Sequence, residues 1–117
     1  MHMLEPLDAQ ALSKLGQLDP TGASRLVQRV LRTYHGSLTR LRQLIAAGPG
    51  DLASLRLGVH TLKSSSASVG ALPLSQMCAE AEAAIRDERH AELPDRVARL
   101  LVEIERVDDA VRLLIDP

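Results

Sequence analysis

Apolar residues recur along this chain at steps of three and four, the spacing that lines one face of an α-helix. Five stretches carry the pattern. The first runs from about Leu4 to Leu18, with Leu7, Ala11, Leu15 and Leu18 on one stripe. The second runs from about Pro20 to Ala47, on Val27, Val30, Leu31, Tyr34, Leu38, Leu41 and Ile45. The third covers Asp51 to Val69. The fourth, from about Pro73 to Arg89, places Leu74, Met77, Ala81, Ala84 and Ile85 together. The fifth, from Pro94 to Ile115, uses Val97, Leu100, Leu101, Ile104, Val107, Val111 and Leu114. No stretch alternates with period two over a useful length, so the pattern predicts no strands.

The residues between the stretches read as helix boundaries. Asp19 followed by Pro20 is an N-cap with proline at the first helical position. The run Gly48-Pro49-Gly50 ends the second stretch and offers Asp51 as the next N-cap. Gly70 stands where a C′ glycine would stop the third. Short connections place consecutive helices antiparallel. The prediction is an all-α fold: an antiparallel four-helix bundle with a short additional N-terminal helix over one end, a single domain spanning residues 1–117.

Composition narrows the chemistry. Phe and Trp are absent and Tyr34 is the one aromatic residue, so the core must be built from Leu, Val, Ile, Ala and Met. A net charge of −1 gives no global field for nucleic acid. The single cysteine, Cys78, excludes an internal disulfide and lies at the edge of an apolar stripe as a core filler. No apolar run approaches the ~18 residues that span a bilayer, and no signal-peptide pattern opens the chain. The expectation is a cytoplasmic monomer without a membrane or nucleic-acid partner. His2, in an opening Met-His-Met, is set aside as a cloning remnant.

The third stretch contains "HTLKSSSASVGA", residues 60–71, a histidine among small residues. Serine is a mediocre helix former, because its hydroxyl competes for backbone groups. At roughly 100° per residue from His60, Leu52, Leu55, Val59, Leu62, Ser66 and Val69 fall on one arc, between roughly 180° and 280°. His60 lies roughly 140° from the centre of that arc and should face solvent. Arg56, Lys63, Ser64 and Ala67 share its outer face. Lys63 is one turn on, within reach of a group carried by His60. Ser64 and Ala67 are too short to stand over the ring, and Ser66, on the core arc, lets a neighbouring helix approach. An exposed histidine is commonly an ordinary surface residue, and spacing alone does not name its chemistry.

The same stretch resembles the signature of histidine-containing phosphotransfer (HPt) domains, roughly H-x-L-K-G-[SA]-[SA]-x-x-[LVM]-G-A. His60, Leu62, Lys63, Ser65, Ser66, Val69, Gly70 and Ala71 match it. The resemblance implies a four-helix bundle that relays a phosphoryl group between aspartates of receiver domains through one exposed histidine. It makes His60 the phosphoacceptor, through Nε2, and Lys63 the cation that offsets phosphate charge. It also implies a residue on the next helix, 22 positions on, that accepts a bond from the ring Nδ1–H; here that is Glu82. The partners implied are response-regulator receiver domains and a hybrid sensor kinase, docking over Arg56, Ser64 and Ala67. Ser64 departs from the family's usual glycine, which gives clearance to the incoming receiver. An imidazole is mostly neutral near pH 7, and a carboxylate on Nδ1–H fixes the tautomer with Nε2 free to attack. In-line positioning with Mg²⁺ falls to the receiver's acidic pocket, so the chain is expected to need no metal or cofactor of its own.

Other constellations are weak. His35 and His90 form no H-x-x-x-H pair, and Asp87 with His90 near a helix end is a poor zinc signal. No P-loop, G-x-G-x-x-G or G-x-S-x-G occurs, so phosphorylation from ATP is not expected. Residues 20–50 carry Arg25, Arg29, Arg32, Arg40 and Arg42 with no acid. They read as one face of complementary helices, or with Arg29 and Arg32 as steering charges for an acidic receiver. The alternative to a phosphocarrier is a helical adaptor that binds a receiver or kinase without phosphoryl transfer.

Overall fold

The computed structural model describes residues 6–8, 10 and 23–115. Four helices dominate: α1 (Ala23–Ala46), α2 (Leu52–Ser68), α3 (Leu72–Arg86) and α4 (Leu93–Ile115). Single 3-10 turns at Gly48–Gly50 and His90–Glu92 join α1 to α2 and α3 to α4. There is no strand among the described residues. Each helix packs on its neighbours in chain order, and α4 closes back onto α1, giving the expected all-α bundle.

The buried stripes follow the sequence pattern closely. Leu31, Tyr34, Leu38, Leu41 and Ile45 of α1 meet Leu55, Val59 and Leu62 of α2, Leu74, Cys78, Ala81 and Ala84 of α3, and Leu93, Val97, Leu100, Ile104, Val107 and Val111 of α4. Met77 and Ile85, placed on the predicted stripe, are only partly buried, and Cys78 takes the central position between Leu74 and Ala81. Burial pushes the Cys78 thiol up to about 12, so it is an inert filler. Leu114 is 42% exposed, contrary to expectation, because the last turn continues the stripe from Val111 to the partly buried Ile115. Small side chains let α1 and α2 come close: a Cβ on Gly58 would stand 3.0 Å from Ile45 Cγ1 and 3.2 Å from Leu44 Cβ.

Several boundaries have visible causes. Asp51 caps α2, its carboxylate accepting from the amide of Ser54 at 3.1 Å and the hydroxyl at 2.7 Å. These two bonds hold the Asp51 carboxyl below the usual range. Gly70 adopts φ 80° after the last turn, and the amides of Gly70 and Ala71 return to Ala67 O and Ser66 O, closing the helix as anticipated. The fourth stretch ends three residues before the predicted Arg89. Glu88 takes the left-handed φ of 57° that glycine usually supplies, and the amides of Glu88 and Arg89 bond back to Ile85 O and Ala84 O.

The leading helix starts later than the predicted Leu4. Residues 6–8 are not helical, and Asp8 Oδ1 accepts from the amide of Gln10 at 3.0 Å, an N-cap interaction. The rest of the predicted stretch, and the Asp19-Pro20 boundary, lie outside the described residues. Asp8 N donates to Gly70 O at 2.7 Å, and Leu7 packs against the core, so this segment meets the α2–α3 connection.

Candidate functional site

The site is built across the outer seam between α2 and α3. The apolar arc of α2 turns Leu55, Val59 and Leu62 inward, which leaves His60 on the opposite face with its side chain 64% exposed. Its Nδ1 lies 2.6 Å from Glu82 Oε2 on α3. Lys63, one turn along α2, donates to the other oxygen, Glu82 Oε1, at 2.5 Å. One carboxylate therefore holds both the ring and the cation.

This arrangement assigns distinct work to each group. With Nδ1–H donated to the carboxylate, Nε2 carries the lone pair and faces outward. The Lys63 ammonium, and after it the His60 ring, hold the Glu82 carboxyl below the usual carboxylate range, against the opposing effect of burial. Glu82 therefore stays ionised near neutral pH. Arg56, Ser64 and Ala67 are all exposed on the same side of α2.

Two features of the site were not read from the sequence. Leu57, three residues before His60, is 57% exposed on the same outer side; its signal was an apolar residue lying off the core arc. Ser75, in the first turn of α3, donates through Oγ to the backbone oxygen of Lys63 at 2.8 Å. That bond ties α3 to α2 beside the histidine and helps to fix the register that brings Glu82 under the ring. Behind the site, Ser66 exchanges a buried 2.7 Å hydrogen bond with the Tyr34 hydroxyl, and burial pushes that phenol well above its ordinary value.

The other histidines lie elsewhere. His35 Nδ1 is 2.7 Å from Asp108 Oδ1, joining α1 to α4 on the seam away from α2 and α3. Asp108 also meets Arg112, at 3.3 Å. His90 is exposed in the 3-10 turn. Among the described residues no three His, Cys, Asp or Glu side chains cluster as a metal site. No described helix is long and apolar enough to cross a membrane.

Comparison with known proteins returns no matching curated protein and no matching solved structure. The family model for the Hpt domain matches residues 25–110, well over half of the 117-residue chain and inclusive of His60, Lys63 and Glu82. With a helical bundle and an outward histidine held by a carboxylate on the next helix, the chain belongs to the Hpt domain family, phosphocarrier modules that work with kinase and receiver domains in two-component signalling.

Proposed function

We propose that this chain is a phosphorelay intermediate whose acceptor is His60. A receiver's phosphoaspartate approaches the exposed face of α2. Nε2 attacks phosphorus, the bond to the aspartyl oxygen breaks, and the receiver carboxylate leaves with its electron pair. Nδ1–H stays on Glu82, which stabilises the positive charge developing on the ring. Reversal onto the aspartate of a second receiver discharges the protein. The observation that carries this reading is the 2.6 Å contact between His60 Nδ1 and Glu82, on a ring that is 64% exposed.

Lys63 has a second part in this scheme. Its ammonium rests on Glu82 in the free protein, one helical turn from His60. A phosphoryl group on Nε2 presents a stronger anionic partner, and the flexible lysine stem allows the ammonium to shift toward it. Mg²⁺ and the in-line geometry come from the receiver, so the chain acts as a monomeric carrier with no cofactor of its own. A hybrid sensor kinase, through its receiver domain, is the fitting upstream partner.

The test is direct. The wild-type chain and His60→Gln are incubated with receiver domains charged by acetyl phosphate and Mg²⁺. Phosphate that is acid-labile and base-stable is expected on the wild type and absent from the variant, with both proteins folded. An exposed side chain of this kind changes stability by within about 0.5 kcal/mol. Labelling of His60→Gln at the wild-type level would move the acceptor to another residue. A receiver that binds without transferring phosphate to wild type would favour the adaptor reading.

A further inference from the structure

The charge on α1 is all of one sign. The helix carries five arginines and no acidic residue in its 24 positions. Arg25, Arg29 and Arg32 follow at spacings of four and three, so they stack on one face, where like charges repel. Arg25 also sits in the first turn, at the positive end of the helix dipole. All three side chains are exposed, and among the described residues none has an ion-pair or hydrogen-bond partner. Elsewhere Arg42 meets Glu105, and Arg86, Arg89, Arg96, Arg99 and Arg112 each meet an acid. Among the described residues, these three cations have no acidic partner on their stripe.

A groove leads from that stripe onto α2, the helix that carries His60. Arg25, Arg29 and Arg32, with Gln28 and Thr33, line a shallow concavity of about 520 Å³. An adjoining groove of about 330 Å³ shares Arg29 and Thr33 with it and crosses onto α2 at Ser65 and Ser68. Ser68 is eight residues beyond His60, about 12 Å along the helix, and on the same outer side as Ser64. A docked domain covers roughly 800 Å² of each partner, a disc of about 16 Å radius. Centred over His60, its edge falls on this groove.

We infer that Arg25, Arg29 and Arg32 form a steering surface for the carboxylate-rich rim of the receiver domain that exchanges phosphate with His60; this rests on the phosphocarrier reading above. A receiver that holds Mg²⁺ beside a phosphoaspartate must gather carboxylates at its docking edge. Their potential complements the stripe. Charges at the rim of an interface act on encounter rate and its salt dependence and little on the chemical step. For single-stranded nucleic acid, α1 offers no exposed aromatic on which bases could stack, since its one aromatic, Tyr34, is buried.

The test compares wild type, the Arg25→Gln/Arg29→Gln/Arg32→Gln variant, the single Arg29→Glu, and a control, Arg86→Gln/Arg99→Gln. The probe is an isolated receiver domain charged with acetyl phosphate and Mg²⁺. Second-order transfer rates are measured at about 20 mM and about 500 mM NaCl, where screening differs most, together with the rate at saturating receiver. The triple variant is expected to be about tenfold slower at low salt, nearly insensitive to salt, and unchanged at saturation, with Arg29→Glu shifted the same way and the control like wild type. A wild-type salt dependence in the triple variant, a loss confined to the saturated rate, or an equal loss in the control would overturn the steering surface. Receiver binding without transfer to wild type would overturn the phosphocarrier reading alone, and the salt dependence of that binding would still decide the arginines.

Discussion

Glu82 reaches from α3 to hold Nδ1 of His60 at 2.6 Å, although 22 residues separate the two in the chain. The bond selects one tautomer, so its loss should show in the ring as well as in the rate. Glu82→Ala is expected to slow phosphoryl acceptance by about tenfold or more, in line with the loss of a group that orients a nucleophile's ring. ¹⁵N spectra should show His60 passing from a single Nδ1–H tautomer to a mixture. A slower rate with an unchanged tautomer would mean that Glu82 acts through packing instead.

Glu82 also provides the clearest pH signature. Its carboxyl is held low by Lys63 first and His60 second. A group depressed in the folded state stabilises the fold fully above its unfolded value, about pH 4.3, and that contribution fades as pH falls through the lower folded value. ¹³C titration should place the Glu82 midpoint below the ordinary glutamate value in wild type and higher in Lys63→Met. An unmoved midpoint in Lys63→Met would remove the ammonium as the main cause.

Ser64 and Ala67 are both exposed on the same helix face as His60. Ser64→Gln and Ala67→Arg introduce good helix formers, so melting temperatures should barely change. Their longer side chains overhang Nε2 and keep it beyond the ~3–3.5 Å needed for attack, so transfer should fall at least about tenfold. Ser64→Gly should transfer as fast as wild type or faster while losing up to about 1 kcal/mol of stability. Wild-type rates in both bulky variants would place the docking face elsewhere.

The buried bond between Tyr34 and Ser66 calls for a double-mutant cycle. Either Tyr34→Phe or Ser66→Ala strands a buried hydroxyl and should cost about 1–3 kcal/mol. The double variant removes both partners and should cost clearly less than the sum. Additive losses in urea denaturation would show that the hydrogen bond contributes nothing beyond the two separate packing changes.

Gly58 tests the close approach of α1 and α2. Even a Cβ there would stand 3.0 Å from Ile45 Cγ1 and 3.2 Å from Leu44 Cβ, and Leu44 Cβ is fixed by its backbone. Gly58→Val should destabilise by about 1–3 kcal/mol through overpacking. A variant as stable as wild type in thermal melts would mean that the two helices separate at little cost.

Much of this was legible in the sequence, for reasons that differ from residue to residue. The outward direction of His60 followed from the angular position of Leu55, Val59 and Leu62, because a helix fixes direction from spacing alone. Gly70 announced the end of α2 because a left-handed residue there favours glycine. Glu88 performs the same service without glycine, and so the end of α3 was placed three residues late. The bidentate role of Glu82 was out of reach, since it depends on how far α3 slides along α2. That register is set by contacts such as Ser75 Oγ with Lys63 O, which no periodicity encodes.

The ring, its carboxylate and its cation all fall between residues 60 and 82, on one helical hairpin closed by Gly70 and fastened by Ser75. Loop-closure entropy for so short a separation is small, so the hairpin is a low-contact-order unit that can assemble early. The hairpin also insulates the chemistry from the history of the remaining chain. The distance from histidine to carboxylate is set within one contiguous piece of about two dozen residues.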